Sequence, residues 1–309
     1  MKKVLVTGGA GFVGSHVAEA YLMQGWDVTI LDTKEVTNKH KDIRYLKGDI
    51  TKRGIGLDNS NLSFDVINHQ AASVDPMGSI EDPYPDAETN IMGTINVLEL
   101  AVKLKAKVIF ASTACVYSGL TKFPVREENV SPTIPYGASK LSAENYVRLY
   151  HDLKGVPYMI LRYGNVYGPG DGRSVIDIFY KNLIENKPLI VNGTGRQTRD
   201  YIHVSDVAEA NVLASDEIIK TKSTGGIEVD NNIFNISTGL EFCISFIART
   251  LTSEDNIIID GTKNAGAERC CMLPFKANDI LRWHHKEDFR TYLSNLKEAI
   301  DSNLVSSKL

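Results

Sequence analysis

The stretch that most constrains the fold is Val4–Asp32, where a strand, a glycine turn, a helix and a second strand follow one another directly. Val4-Leu5-Val6 is a short run rich in β-branched residues, and Thr7-Gly-Gly-Ala-Gly-Phe-Val-Gly14 follows it without a break. Val13, Val17, Ala20 and Tyr21 then share one helical face, and Gly25 stands where that helix should end. Val28–Leu31 makes the second strand and ends in Asp32. Strands joined through a helix run parallel. The glycines satisfy two spacings at once: Gly9, Gly11 and Gly14, or Gly8, Gly11 and Gly14. Glycine serves a tight turn and the close approach of a pyrophosphate to the helix N-terminus. An acid about 20 residues further on accepts from both ribose hydroxyls and repels a 2′-phosphate, so Asp32 points to NAD rather than NADP. The competing reading is an ordinary glycine-rich turn beside a surface aspartate.

The alternation continues. Ile43–Leu46 reads as a third strand, closed by Gly48-Asp49-Ile50, where an adenine edge could be read; Asp49 as a plain turn residue is the alternative. Asp65–Asn68 is a fourth strand leading into His69-Gln-Ala-Ala72, whose small residues let the backbone lie against a dinucleotide. His69 by itself suits a packed structural histidine. A helix is predicted over 86–104 from the spacing of Ile91, Ile95, Leu98, Ala101 and Val102. Val108–Phe110 is a fifth strand delivering Ser112 and Thr113 at its carboxyl end; a helix follows over 136–153, then a sixth strand, Met159–Arg162. The expected fold is α/β, a doubly wound parallel sheet of Rossmann type with a smaller C-terminal lobe. Gly168-Pro-Gly-Asp-Gly172 reads as a loop leaving the sheet, Lys222–Asn232 as an exposed loop, and Phe234–Ile236 as a strand returning. This divides the chain into residues 1–168, with 203–240 returning to them, and a lobe of 169–202 and 241–309. That lobe would include Arg282-Trp283 and cover the sheet's carboxyl edge.

A net charge of −4 argues against a broad nucleic-acid surface, so an anionic ligand must be held by a few local cations or helix N-termini. No apolar run nears the ~18 residues that span a bilayer, and the short run at Val4–Val6 does not read as a secretory leader. Cys115, Cys243, Cys270 and Cys271 lack metal spacing, so no metal and a reduced, cytoplasmic setting are expected.

The chemistry concentrates at Tyr136-Gly-Ala-Ser-Lys140 together with Thr113. A tyrosine and a lysine four residues apart stand on one helix face, about one turn from each other. A free tyrosine with a pKa near ~10 is about 0.1% ionised at pH 7, and roughly 4 kcal/mol of favourable charge interaction would bring it near neutrality. A lysine ammonium and a positive nicotinamide ring can supply that. Spacing alone decides little, since Tyr150-His-Asp-Leu-Lys154 shares it and reads as a solvated helix face. The company of Thr113, Pro135 and the upstream glycines singles out Tyr136.

With these residues in place the chain resembles the extended short-chain dehydrogenase/reductases, specifically the NAD-dependent nucleotide-sugar epimerases and dehydratases, and among them the UDP-glucose 4-epimerase group. The resemblance is carried by Thr7–Gly14, Asp32, His69–Ala72, Asn90–Thr94, Thr113–Tyr117, Tyr136–Lys140, Leu161–Gly168 and Gly193–Asp206, in order over almost the whole chain. It implies that Gly8, Gly11, Phe12, Val13 and Gly14 cradle the NAD pyrophosphate and that Asp32 holds the adenosine ribose. It places Asp49 and Ile50 beside adenine, and Gln70, Ala71, Ala72 and Asn90 along the rest of the groove. It makes Tyr136 the acid/base, Lys140 its modulator and ligand of the nicotinamide ribose, and Thr113 the partner of the reacting sugar hydroxyl. Asn165 and Arg199 would contact the sugar-nucleotide pyrophosphate, although Arg199 by itself could simply pair with Asp200.

The implied activity is C4 epimerisation of a nucleotide-diphospho sugar, UDP-glucose/UDP-galactose or their N-acetyl forms, by a homodimer through a 4-keto intermediate. The rivals are a 4,6-dehydratase or decarboxylase on the same scaffold, or an NAD-binding regulatory protein without turnover. Related dehydratases carry an Asp-Glu pair directly after the threonine, where this chain has Ala114 and Cys115. Asn192 replaces the usual aromatic beside the base. Lys263-Asn-Ala-Gly266 replaces the usual Arg-Pro-Gly-Asp, unless a slip of one or two residues makes Gly266-Ala-Glu268 the match, so a second pyrophosphate arginine is missing or replaced by Lys263 or Arg269. Cys270 falls where these epimerases set a size gate beside the C2 substituent, tyrosine being the restrictive choice; a buried core cysteine is the alternative.

Overall fold

A computed structural model of the chain describes residues 1–36, 40–57, 62–217, 232–263 and 266–306. The expected loop Lys222–Asn232 lies, except for Asn232, outside the described residues, as do Asn264 and Ala265. Seven parallel strands form the main sheet: β1 (Lys3–Thr7), β2 (Asp27–Asp32), β3 (Ile43–Lys47), β4 (Val66–His69), β5 (Lys107–Thr113), β6 (Tyr158–Tyr163) and β7 (Ile233–Ile236). Their order is β7-β6-β5-β4-β1-β2-β3. The chain winds outward from β1 in both directions, so the direction reverses between β1 and β4. In open α/β sheets a ligand crevice opens at that point, outside the carboxyl ends of the strands.

Strand alternation divides the core. Val4 and Val6 pack with Val28, Ile30 and Ile109 against Val17 and Tyr21 of the helix Phe12–Met23 and against Val207 and Ala210 of the helix Val204–Asp216. Leu5 points the other way, with Ile67, Val108 and Phe110, toward Val97, Leu98 and Val147 of the helices Thr94–Leu104 and Pro135–Lys154. A sheet covered on both faces explains why its strands read as continuous apolar runs. A further cluster, including Tyr167, Phe179, Leu183, Ile247, Phe289 and Leu293, joins the helices Val175–Ile184, Ile244–Leu251 and Phe289–Ser306. Short strand pairs frame it: Leu189–Asn192 with Ile257–Asp260, Asn165–Tyr167 with Tyr201–His203, and Thr198–Arg199 with Phe242–Cys243.

Two expectations are corrected. The helix expected over 86–104 is in three pieces, Pro83–Ala87, a π-helical turn Glu88–Gly93, and Thr94–Leu104. Asp82 caps the first piece by accepting from the Tyr84 amide, and apolar spacing carries no trace of the widened turn. Trp283, assigned from sequence to the smaller lobe, is instead buried with the β1–β2 face of the sheet, where its indole N–H donates to the Asp206 carbonyl at 2.9 Å.

The sheet's switch point depends on glycine. Gly8 has φ of +70°, and a Cβ there would fall 2.6 Å from the Ala71 backbone; Gly25 has φ of +76° with nothing within 4 Å. Gly25→Ala should therefore cost only the left-handed backbone penalty, about 1 kcal/mol. Gly8→Ala should cost clearly more, measured as the urea midpoint. Equal losses would show that the close approach of the two chain segments is not a constraint.

Candidate active site

The glycine turn is built to receive an anion. Gly8 N–H donates to Leu31 O at 2.8 Å and Gly11 N–H to Gly8 O at 3.0 Å, folding the turn back on β2. A Cβ on Gly14 would lie 2.2 Å from Gly8 O, so helix and turn touch backbone to backbone. The first bond into this helix is Ser15 N–H to Gly11 O, so the amides of Phe12, Val13 and Gly14 precede the intrahelical ladder and face the helix end. The Asp32 carboxylate closes the turn, accepting from Ala10 N–H at 3.0 Å and Lys34 N–H at 2.9 Å. These features fit a dinucleotide: the cradle has no side chains where phosphates would lie, and an acid stands at the tip of β2.

Along the rest of the groove the structure assigns most polar groups to scaffolding. The Asp49 carboxylate accepts from the Thr51 amide and hydroxyl, an Asx turn, while Ile50 is buried and fills the space over Gly93. Ala71 lies on Gly8 and Ala72 follows it at the β4 exit. Gln70 donates to Asn68, Tyr163 and Asn211, joining a buried network with Tyr21 and Ser215 that links the sheet to the helices Phe12–Met23 and Val204–Asp216. Asn90, in the π-turn, accepts from Ser73 N–H at 2.9 Å and donates toward Ser73 O, Asp86 and Ser139. His69 is fully buried, with Nδ1 2.8 Å from Thr7 Oγ1 and Nε2 3.1 Å from Thr94 Oγ1. Burial, helped by the charge of Lys140, lowers its pKa to about 3, so the ring is neutral.

Thr113, Tyr136 and Lys140 come together at the carboxyl end of β5. The helix starts at Pro135, which presets φ for the first turn, and Tyr136 N–H donates to Ser79 Oγ at 3.1 Å. The Thr113 hydroxyl stands against the Tyr136 phenol, whose pKa burial pushes upward. Lys140 Nζ lies 4.2 Å from the centre of the Phe110 ring, and burial lowers its pKa to about 8. Tyr150, the same-spacing comparison, donates instead to Glu99 on the neighbouring helix.

On the far side of the groove Asn165 is exposed, its amide bonded to Asp200 O at 2.7 Å. Arg199 Nη1 donates to Thr198 O and Ala267 O at 2.8 and 2.7 Å. The Asp200 carboxylate is spent elsewhere, accepting from Thr238, Gly239 and Met272. Cys270 is buried with Ala114, Val116 and Met272, and burial raises its thiol pKa to about 12. Lys263 pairs with Asp260 and Arg269 with Glu241.

Sequence reasoning missed the support behind these groups. Glu144, one turn past Lys140, takes a bidentate pair from Arg162 of β6 (2.9 and 2.5 Å) and a short hydrogen bond from Ser112. The only signal was the turn spacing of Glu144 from Lys140 and an arginine inside an apolar strand. Asp86 and Ser79 carried none.

Fold and site together define an NAD-binding protein of the extended short-chain dehydrogenase/reductase type. The chain belongs to the NAD dependent epimerase/dehydratase family, whose model matches residues 4–236. It is 37% identical, over 97% of its length and 99% of the relative's, to a Methanocaldococcus jannaschii protein provisionally named a UDP-glucose 4-epimerase. It is 35% identical, over 81% of its length and 79% of the relative's, to a UDP-N-acetyl-alpha-D-glucosaminuronate decarboxylase of Bacillus cytotoxicus. Its fold matches the UDP-glucose 4-epimerase of Thermotoga maritima, solved with UDP-glucose, at a TM-score of 0.85 and 29% identity, over 98% and 99% of the two chains. Among the described residues no group of side chains could hold a metal ion, and no helix is long and apolar enough to cross a membrane.

His69 gives the site a stability signature in pH. Below about 6.5 the unfolded chain takes a proton that the native ring refuses, so native stability should fall by about 1.4 kcal/mol per unit as pH drops toward 3. His69→Gln removes this titration. Urea unfolding at pH 7, 6 and 5 should show the gap between wild type and variant narrowing. A constant gap would mean that the ring accepts a proton in the folded state.

Proposed function

We propose that the protein interconverts nucleotide-diphospho sugars epimeric at C4, with NAD retained through the cycle. The observation that carries this reading is the Thr113–Tyr136 contact beside Lys140, followed by two positions that hold no acid. In the reading, Thr113 hydrogen-bonds the sugar's 4-hydroxyl, Tyr136 takes its proton and later returns it, and Lys140 stabilises the phenolate. The bound cofactor supplies hydride acceptance and return at C4. Gly8, Gly11, Phe12, Val13 and Gly14 hold its pyrophosphate and Asp32 its ribose, while Asn165 and Arg199 take the sugar-nucleotide pyrophosphate. The protein's share is positioning and electrostatics.

A 4,6-dehydratase needs acids to protonate the leaving hydroxyl and abstract the C5 proton. Ala114 cannot serve, and burial pushes the Cys115 thiol up, away from a base at neutral pH. A binder without turnover would need none of Thr113, Tyr136 and Lys140. We also propose the lobe division 1–168 with 203–240 against 169–202 with 241–309, the segment around Trp283 excepted because it packs back on the sheet, and a homodimer. Exposed Tyr146, Leu149 and Leu153 on the helix Pro135–Lys154 support a partner surface there.

The test is a panel of UDP-, GDP- and dTDP-sugars with products resolved by NMR. Tyr136→Phe should lose turnover by about 100-fold or more while NAD binding stays near wild type. Tyr150→Phe should be nearly silent. Similar behaviour of the two variants would remove the assigned pair from catalysis.

Within the same reading Cys270 leaves room for an acetamido group, so N-acetyl sugars should be accepted at least as well as the unsubstituted pair. Cys270→Tyr should abolish N-acetyl turnover and spare glucose and galactose. A mere core cysteine would instead cost roughly 1–3 kcal/mol of stability and leave the ratio of activities unchanged.

A further inference from the structure

We propose that Asp200 is a positioning residue that fixes the Cys270 wall of the sugar pocket against Asn165 and Arg199. The proposal rests on the reading of those three residues given above. Asp200 is fully buried between the short strands Thr198–Arg199 and Tyr201–His203. Its carbonyl accepts from Asn165 N–H at 2.7 Å and so sets the backbone of one pyrophosphate contact. Its carboxylate joins two segments far apart in sequence. Oδ1 accepts from the Thr238 amide at 2.9 Å and hydroxyl at 2.8 Å, and Oδ2 from the amides of Gly239 and Met272 at 3.1 Å each. Gly239 has φ of +75°, and a Cβ there would lie 3.3 Å from Pro274 Cδ, so the two segments touch.

Cys270 sits between two ties to the same stretch, 198–200. Upstream, Thr198 N–H donates to Glu268 O at 2.9 Å and Arg199 Nη1 to Ala267 O at 2.7 Å. Downstream, Met272 N–H ends on Asp200 Oδ2, and Ser237 Oγ donates to Met272 O at 2.8 Å. Val125 bridges the residues on either side of Met272, donating to Cys271 O at 3.0 Å and accepting from Leu273 N–H at 2.8 Å. The segment that carries Cys270 is thus fixed at both ends, and the downstream end depends on the Asp200 side chain. A carboxylate suits this cradle because four donors converge on two oxygens, two on each. An asparagine of the same shape has one oxygen, so its NH2 must face either the Thr238 amide or the amides of Gly239 and Met272. Donor then meets donor, and one of the two segments is released.

The test separates nucleotide from sugar. In NAD-loaded protein the affinities of UDP and of UDP-N-acetylglucosamine are measured by isothermal titration calorimetry. The Asn165 tie runs to the Asp200 main chain and the Arg199 bonds to carbonyls, so neither depends on the Asp200 carboxylate. Asp200→Ala should therefore leave UDP binding within about twofold of wild type and weaken UDP-N-acetylglucosamine by about 10-fold or more. In turnover the loss should fall on KM for the sugar nucleotide rather than on kcat. Gly25→Ala, destabilised away from the site, should bind both ligands as wild type does. A merely structural Asp200 predicts a lower urea midpoint with the two affinities unchanged or weakened by the same factor, and that result overturns the proposal. Should Asp200→Ala not fold, Asp200→Asn keeps the shape, gives up one tie, and should show the same split at about threefold. If the wild type binds UDP-N-acetylglucosamine without epimerising it, the proposed reaction fails while the two affinities still decide on Asp200. A wild type that does not bind the sugar nucleotide overturns both.

Discussion

Everything chemical in this protein depends on where one helix stands relative to one strand, and a buried ion pair sets that relation. Arg162 reaches from β6 under the carboxyl end of β5 to grip Glu144 on the helix that carries Tyr136 and Lys140. Ser112 bonds the same carboxylate, immediately before Thr113. The remaining guanidinium nitrogen donates to Tyr117 and to the Glu127 carbonyl, and Tyr117 passes the connection to Asn235 of β7. Such a pair adds little net stability, because desolvation offsets most of its attraction, but breaking it costs about 3–5 kcal/mol. Its value is geometric. The Tyr136 hydroxyl cannot drift from Thr113 without uncoupling two charges inside the protein.

The second constraint is electrostatic. From sequence, roughly 4 kcal/mol of favourable charge interaction is enough to ionise a tyrosine at neutral pH. The structure raises that requirement, since burial pushes the Tyr136 phenol upward while lowering the Lys140 ammonium. By itself the protein therefore keeps the phenol protonated, while the lysine, at about 8, stays mostly charged at neutral pH. In the proposed reaction the lysine charge and a cationic nicotinamide would together supply that interaction, which would couple the proton step to oxidised cofactor.

The scaffold was legible in the sequence because strands buried on both faces write long apolar runs and glycine turns write themselves. All seven sheet strands fall within a few residues of their expected bounds, from Val4–Val6 to Phe234–Ile236. What escaped is what has no period. The π-turn at Asn90 depends on backbone widening, and the short pairs such as Asn165–Tyr167 with Tyr201–His203 depend on partners far along the chain. The pairing considered for Arg199 with Asp200 gave way to a carboxylate that fastens Thr238, Gly239 and Met272. Asp200 lies between two short strands and its carboxylate turns to a distant loop, so adjacency was a poor guide there.

In the proposed reaction hydride leaves C4 and returns to C4 without escaping the site. The most direct measurement is incubation with UDP-glucose deuterated at C4, or the N-acetyl analogue, followed by NMR of the product in ordinary water. Epimerisation by this site predicts an inverted C4 that keeps its deuterium. Deuterium lost to solvent or a 4-keto-6-deoxy product would contradict that reaction.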